Sequence, residues 1–231
     1  MVYALANIFH GLCRAICARQ WAGMVCKSLP VRAPAKHRIR GTEVKRTLIN
    51  FVAFQAGWFS CVLSAAYGSP WMGLIVICVI VLSHVGTSED PVHETQLVAL
   101  AMTLGLIFDS ILVSSGLVRY PGGMIFAGIA PYWILAMWAL FSTTLSLSMG
   151  WLKNKPLLAS FMGAVFGPLS YLAGQRMGAI ELLNFNSAMI ALAVIWALAM
   201  PILTRAASRS DGVSKFLPFV PLQQLHGGDK R

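Results

Sequence analysis

LVALAMTLGLIFDSILVSSGL, residues 97–117, is an unbroken apolar run that carries one ionisable side chain, that of Asp109. A helix needs about 20 predominantly apolar residues to cross the roughly 30 Å of hydrocarbon in a bilayer, and this run is long enough. Its apolar residues are continuous rather than alternating, and only a helix satisfies its backbone hydrogen bonds within a single such segment. The run therefore predicts a transmembrane helix rather than a strand of a membrane barrel.

The composition of the whole chain is that of a membrane protein. Of its 231 residues, 57% are hydrophobic and only 11% are charged, whereas soluble domains have roughly 25% charged residues. A soluble domain could not cover its surface with so few charges, so lipid is the second solvent. A formal net charge of +10 would suggest nucleic acid in a soluble protein. Here the positive residues lie mainly at the two ends and in one loop, so we predict no nucleic-acid partner.

Five further apolar runs accompany the first, and turns rich in Gly, Pro and polar residues separate them. One of them is short for a span, and the run before Trp151 is long enough to tilt. We predict an all-α, polytopic transmembrane bundle of about six helices, which occupies residues 48–203. The five runs are residues 48–66, 71–85, 125–149, 157–173 and 186–203.

The Lys and Arg residues predict the orientation of this bundle. Six spans place both termini on one side, which then carries nine Lys or Arg in residues 1–47, two in the loop before Pro156 and five in residues 204–231. The opposite side carries only Arg119 and Arg176. Because cytoplasmic segments are enriched in Lys and Arg, we predict cytoplasmic N and C termini, the N-in/C-in arrangement.

The two ends of the chain are predicted to differ from the bundle. Residues 1–47 form a basic region, for which two interpretations stay open. It is an interfacial helix on anionic lipid, or the start is misassigned and the native chain begins near Val44. Residues 204–231 are basic, polar and interrupted by Pro218 and Pro221, which predicts a disordered cytoplasmic tail.

Three polar residues within the spans form the candidate site. A charged side chain at the centre of a span costs roughly 2.5–3.5 kcal/mol on insertion scales, so Asp109 should face the bundle interior and be neutral or paired. Gln55 is the expected type of partner because its amide can donate to a carboxylate. Asn50 lies five residues earlier, near the inner interface. Two interpretations of Asp109 stay open: a proton, cation or substrate site, or a hydrogen bond that fixes helix packing.

The apolar run of residues 157–173 contains a small-residue motif. Gly163 and Gly167 have GxxxG spacing, which lets helix backbones approach closely in lipid. Pro168 should kink the same helix. Packing within the bundle is the favoured use of the two glycines, and a homo-oligomer is the alternative.

Signatures of enzymes and metal sites are absent from the sequence. It contains no HExxH, GxSxG, P-loop or CxxC motif. We therefore predict no catalytic residue, no cofactor and no metal ligand, although this leaves enzymatic activity undecided. His84 and His93 lie close to Glu89, Asp90 and Glu94, but residues 86–96 are predicted to form a solvated acidic loop rather than a metal site.

Several stretches resemble an uncharacterised bacterial inner-membrane family, domain of unknown function 2878, over about residues 46–205. The resemblance implies a multi-pass protein of the bacterial inner membrane and carries no assigned activity. Members of that family are encoded beside cyclopropane-type fatty-acid methyltransferases and flavin oxidoreductases, which implies a role near phospholipid acyl-chain modification. The stretches are residues 49–59, Gly68-Ser69-Pro70-Trp71, Phe108-Asp109-Ser110, Ala130-Pro131-Tyr132-Trp133, residues 138–145 and residues 167–171.

Two functional hypotheses follow. The first is an accessory or scaffolding subunit, whose partners are the lipid bilayer and membrane-associated enzymes that modify fatty acids or phospholipids. The alternative is a small transporter or flippase that uses Asp109 as an intramembrane carboxylate, with Gln55 in the same path. An intramembrane enzyme ranks third because no nucleophile can be nominated.

Overall fold

The computed structural model describes residues 41–208, which form six α-helices and a short two-stranded ribbon. A 3₁₀ turn at Gly150–Leu152 precedes the fifth helix, and the strands β1 and β2 pair antiparallel. Most of the predicted basic N-terminal region and tail lies outside the described residues. The elements are α1 Gly41–Ala66, α2 Pro70–Gly86, α3 Pro91–Ser114, β1 Val118–Arg119, α4 Tyr132–Ser146, α5 Pro156–Arg176, β2 Glu181–Leu182 and α6 Phe185–Ser208.

The predicted all-α membrane bundle is confirmed. Four of the helices, α1, α3, α5 and α6, are long and apolar enough to cross a membrane. Large apolar side chains such as Val52, Ile107 and Ile190 are exposed on these helices. Extensive apolar exposure of this kind is unfavourable in water and favourable in hydrocarbon.

Helix α4 is the short central helix of the bundle. It packs against α1, α2, α3 and α6, and ten of its 15 residues are buried. At 1.5 Å per residue it is about 22 Å long, less than the hydrocarbon thickness. Most of its residues pack against neighbouring helices, so it need not match that thickness.

The prediction of a long, tilted helix over residues 125–149 is therefore wrong. The helix begins only at Tyr132, after Pro131, and it ends at Ser146. Upstream, Gly123 and Gly128 have φ angles of +82° and +79°, a left-handed conformation that suits glycine and is incompatible with a continuing α-helix. The apolar residues of the loop gave the misleading impression of a longer span.

Residues 115–131 form a loop that folds back onto the bundle. The Ser110 hydroxyl accepts a hydrogen bond from the Ala130 N–H at 3.0 Å, and the Ser114 hydroxyl donates to the Gly128 carbonyl at 3.0 Å. The loop also contains β1, which pairs with β2, the strand that follows helix α5 in the chain. Non-helical backbone is tolerated beside a membrane where protein groups satisfy it, and this loop is held in that way.

Candidate functional site

Asp109 lies at the centre of a buried hydrogen-bonded cluster, with only 1% of its surface exposed. The hydroxyls of Tyr120 and Tyr171 donate to its Oδ1 at 2.7 and 2.5 Å. The indole Nε1 of Trp138 donates to Oδ2 at 2.8 Å. We call these four residues the Asp109 cluster. Its members come from α3, the 115–131 loop, α4 and α5, so one carboxyl group joins four parts of the fold.

A glycine on α3 makes room for the tryptophan of this cluster. Gly105 precedes Asp109 by four residues and lies on the same buried face of the helix. A Cβ on Gly105 would collide with the indole ring of Trp138. The missing side chain therefore allows the ring to lie against α3 with its Nε1 at the carboxylate.

The loop brings Tyr120 to the carboxylate. The ring of Tyr120 packs edge-on against Trp133, with ring centroids 5.6 Å apart, and the Trp133 Nε1 donates to the Gly122 carbonyl at 3.1 Å. Burial, followed by the negative charge of Asp109, raises the pKa of Tyr120 well above its ordinary value of 10. Tyr120 is therefore a neutral phenol whose hydroxyl donates a hydrogen bond to the carboxyl oxygen.

The predicted pairing of Asp109 with Gln55 is wrong. Three aromatic donors occupy the carboxyl group, and none of the ion pairs in the described part of the chain includes Asp109. Asp109 faces the bundle interior, as predicted. Its hydrogen-bond partners were not predicted. The available signal was the set of Tyr and Trp side chains in apolar segments, since a buried Tyr or Trp usually needs a hydrogen-bond acceptor.

Asn50 belongs to a different place in the bundle. Its Nδ2 donates to the Thr143 carbonyl at 3.1 Å, and its Oδ1 accepts from the Ser148 hydroxyl at 2.7 Å. These bonds connect α1 with α4 and with the turn that follows it. The three predicted site residues, Asp109, Gln55 and Asn50, therefore do not form one polar site.

A large apolar cavity lies beside the Asp109 cluster. It separates α5 from α1 and α4 and has a volume of about 450 Å³, within the range of roughly 300–1,000 Å³ that is common for ligand pockets. We call it the aromatic cleft. Trp138 and Tyr171 line it, so two donors to Asp109 also form part of its wall. Other aromatic residues on its wall are Phe54, Trp58, Phe59, Trp133, Phe141, Trp151, Phe166 and Trp196.

The cleft is open at one side because α5 and α1 pack against different neighbours. Helix α1 packs against α2 and α4, whereas the close helix neighbour of α5 is α6. Phe59 on α1 and Leu169 on α5 line the cleft and are exposed at its edges. Along α5 the lining extends from Met162 to Gly174, which is about 18 Å of helix.

The small residues of α5 face α6. A Cβ on Gly163 would collide with the backbone carbonyl of Trp196, and one on Gly167 would collide with the indole of the same residue. Both glycines are buried within the chain together with Pro168. The GxxxG spacing therefore serves packing inside the bundle, which is the use that the sequence favoured.

The site and the bundle around it correspond to a known family. A family model described as a protein of unknown function, DUF2878, matches residues 47–202. This match covers well over half of the chain. The chain belongs to the DUF2878 family. No curated protein and no solved structure matches it significantly.

The DUF2878 match includes the Asp109 cluster and the aromatic cleft. It contains Asp109 with its three donors, and every residue that lines the aromatic cleft lies between Phe54 and Met200. The resemblance found in the sequence is thereby confirmed as family membership. Residues 1–46 lie outside the match.

A second buried acid of this DUF2878 protein lies at the opposite end of α3. Pro91 begins that helix and Asp90 caps it by accepting from the His93 N–H at 3.1 Å. Glu94 is consequently in the first turn, buried, with its Oε2 3.2 Å from the His84 Nε2 on α2. The prediction of a solvated acidic loop over residues 86–96 is thus wrong for Glu94. The run Asp-Pro-x-x-Glu was a usable helix-start signal.

Proposed function

We propose that this protein binds a lipid acyl chain in the aromatic cleft, as a multi-pass accessory subunit of the bacterial inner membrane that serves enzymes of fatty-acid or phospholipid modification. The observation that carries the proposal is the cleft itself. It is large, almost entirely apolar and open at one side, and it lies among helices that are apolar enough to span a bilayer. In a bilayer, the hydrocarbon that surrounds such helices consists of acyl chains.

The shape and lining of the cleft favour an acyl chain over a polar ligand. Phe54 and Trp58 form one wall, and Phe166 belongs to the opposite wall. An apolar cavity holds water poorly because a buried water needs two to four polar partners. An apolar chain would restore the dispersion contacts that the wall atoms lack across the gap.

Basic residues at one end of the cleft favour a lipid with an anionic head. Trp151 and Leu152 line that end, and Lys153 and Lys155 follow directly. The Nζ of Lys155 lies 5.8 Å from the ring centroid of Trp151, an arrangement common for interfacial aromatic and basic anchors. With the N-in/C-in orientation this end faces the cytoplasm, so the head group would belong to the inner leaflet.

The Asp109 cluster favours a binding role over transport through a carboxylate. Its carboxyl group is enclosed by three donors and does not line the cleft. A transported cation or proton would have to displace those donors first. The cleft, by contrast, is open at one side, and a ligand that enters there would break no hydrogen bond of the cluster.

Quenching of tryptophan fluorescence by brominated lipids tests the proposal. Bromine quenches only at short range, and five tryptophans line the cleft: Trp58, Trp133, Trp138, Trp151 and Trp196. We expect a brominated phosphatidylglycerol to quench the purified full chain saturably and unbrominated lipid to compete. Ser170→Leu would place a larger side chain in the cleft and reduce the quenching.

Ser160→Leu is the matched control for that variant. Ser160 is on the same helix and similarly half-buried, but it does not line the cleft. Its quenching should equal that of the wild type. Equal quenching in both variants would overturn the proposal, as would quenching that never saturates. Co-purification of a lipid-modifying enzyme from mildly solubilised membranes would test the accessory role separately.

A further inference from the structure

Gln55 places an amide group on the otherwise apolar wall of the aromatic cleft. It is midway along the apolar segment Val44–Ala66 of α1, and its half-buried side chain lines the cleft. Its neighbours on the same wall, Phe54 and Trp58, are aromatic. A carboxamide can donate two hydrogen bonds and accept two, so the amide is the main polar group on this stretch of wall.

The amide of Gln55 has no hydrogen-bond partner among residues 41–208. Among the other polar groups on α1 and on the cleft wall, the Trp196 Nε1 on α6 is also buried without a partner in the described part of the chain, whereas two side chains are bonded. Asn50 bonds to Thr143 and Ser148, and the Ser170 hydroxyl donates to the Gly167 carbonyl of its own helix at 2.7 Å. An amide without a partner in apolar surroundings is unfavourable, and a bound molecule is the available source of one.

We infer that the ligand of the cleft is an acyl chain that carries an oxygen function part-way along its length, and that Gln55 recognises this oxygen. The inference rests on the proposed acyl-chain binding and narrows it to a class of chain. A hydroxyl group suits the amide best because it can donate to the amide oxygen or accept from the amide nitrogen. A saturated or cyclopropane-bearing chain leaves the amide unpaired.

The depth of Gln55 sets where the oxygen lies. Asn50, held to Ser148 near the basic end of the cleft, marks the level of that end on α1. Gln55 is five residues further along the same helix, which is about 8 Å. A chain that enters at the basic end therefore meets the amide after several methylene groups, and not beside its carboxyl or ester group.

Competition between two fatty acids tests the inference. Stearate and a mid-chain hydroxystearate would each displace the brominated probe from the full chain, with tryptophan fluorescence as the readout. We expect the wild type to prefer the hydroxystearate by on the order of three- to tenfold, the usual effect of one net hydrogen bond. Gln55→Met keeps the length of the side chain and removes the amide, and it should abolish the preference while stearate binding persists.

Gln96→Met is the control, since Gln96 is exposed on α3 and lies outside the cleft. It should retain the wild-type preference. Equal affinities of the wild type for both acids, or a preference that survives in Gln55→Met, would overturn the inference and leave acyl-chain binding intact. Failure of both acids to displace the probe from any variant would instead remove the proposed function.

Discussion

Asp109 illustrates how a bundle can hold a carboxyl group without a cation. Tyr120, Trp138 and Tyr171 replace the water that would otherwise hydrate it. A buried polar group is stable only when it keeps hydrogen-bond partners, and these three donors supply them. The donors are also cleft or loop residues, so the carboxyl group determines where they lie. Asp109 thus acts on the cleft through its neighbours and does not itself line it.

Asp109→Asn should destabilise the protein by about 1–3 kcal/mol, the usual cost of leaving a buried donor unsatisfied. One of the two oxygens becomes an NH₂ donor. A tyrosine hydroxyl can rotate to accept from it, but the Trp138 Nε1 can only donate. We expect a lower unfolding temperature in detergent and altered tryptophan emission from the cleft wall.

Tyr171→Phe is the companion variant for this prediction, because it removes one donor and leaves the carboxyl group intact. Tyr171→Phe should lower the free energy of unfolding by less, about 0.5–1.5 kcal/mol. Unfolding temperatures of both variants equal to that of the wild type would contradict the structural role of the Asp109 cluster.

At the scale of elements, the contact between α5 and α6 depends on two glycines. Gly163 and Gly167 give α6 room for the backbone and the ring of Trp196. That ring stacks on Trp138 with centroids 4.6 Å apart. Close approach of the helices therefore also positions an aromatic wall of the cleft. Without the glycines, α5 would have to move away from α6 and into the cleft.

Gly163→Ala should destabilise the protein by about 1–3 kcal/mol, the usual cost of overpacking. The added Cβ meets the backbone carbonyl of Trp196, which cannot move aside as a flexible side chain would. Thermal unfolding in detergent measures the effect. Gly86→Ala is the control, because a Cβ at the end of α2 meets no atom within 4 Å. Equal unfolding temperatures for the two variants would contradict the packing argument.

At the scale of the whole molecule, the cleft exists because the helices divide into two groups. Helices α1 to α4 pack around one another, while α5 is held mainly by α6. The bond between Tyr171 and Asp109 is a direct polar connection from α5 across to α3. The two groups also meet through α6, which packs against α3 and α4, whereas α5 remains separated from α1 and α4 along the cleft. The proposed acyl chain would occupy this gap without displacing a helix of the α1–α4 core.

The topology of the molecule is open to test by reporter fusions. With N-in/C-in orientation, the 115–131 loop faces the periplasm. Alkaline phosphatase, which is active only outside the cytoplasm, should be active when fused after Gly123 and inactive when fused after Arg231. A green fluorescent protein fused after Arg231 should fluoresce. The reverse pattern would refute the orientation and place the basic end of the cleft on the outer side.

Individual residues show which features of the structure were predictable from the sequence alone. The inward orientation of Asp109 followed from the cost of a charge in hydrocarbon, and the intrabundle use of Gly163 and Gly167 followed from their spacing. The partner of Asp109 could not be found in that way, because Tyr120 and Tyr171 are separated from it by 11 and 62 residues. The end of α4 nearest Pro131 was missed because hydropathy does not distinguish an apolar loop from an apolar helix.

The sequence by itself determined that this chain is a helical membrane bundle, because the free energy of transferring long apolar segments into lipid is a sum over residues and needs no knowledge of their neighbours. It also determined which residues were costly enough to require a special environment. Only the tertiary structure decided which groups meet those residues and where the helices leave a gap. Hydrogen bonding and cavity shape depend on distances between segments remote in the chain, and those distances are set by packing of the whole bundle.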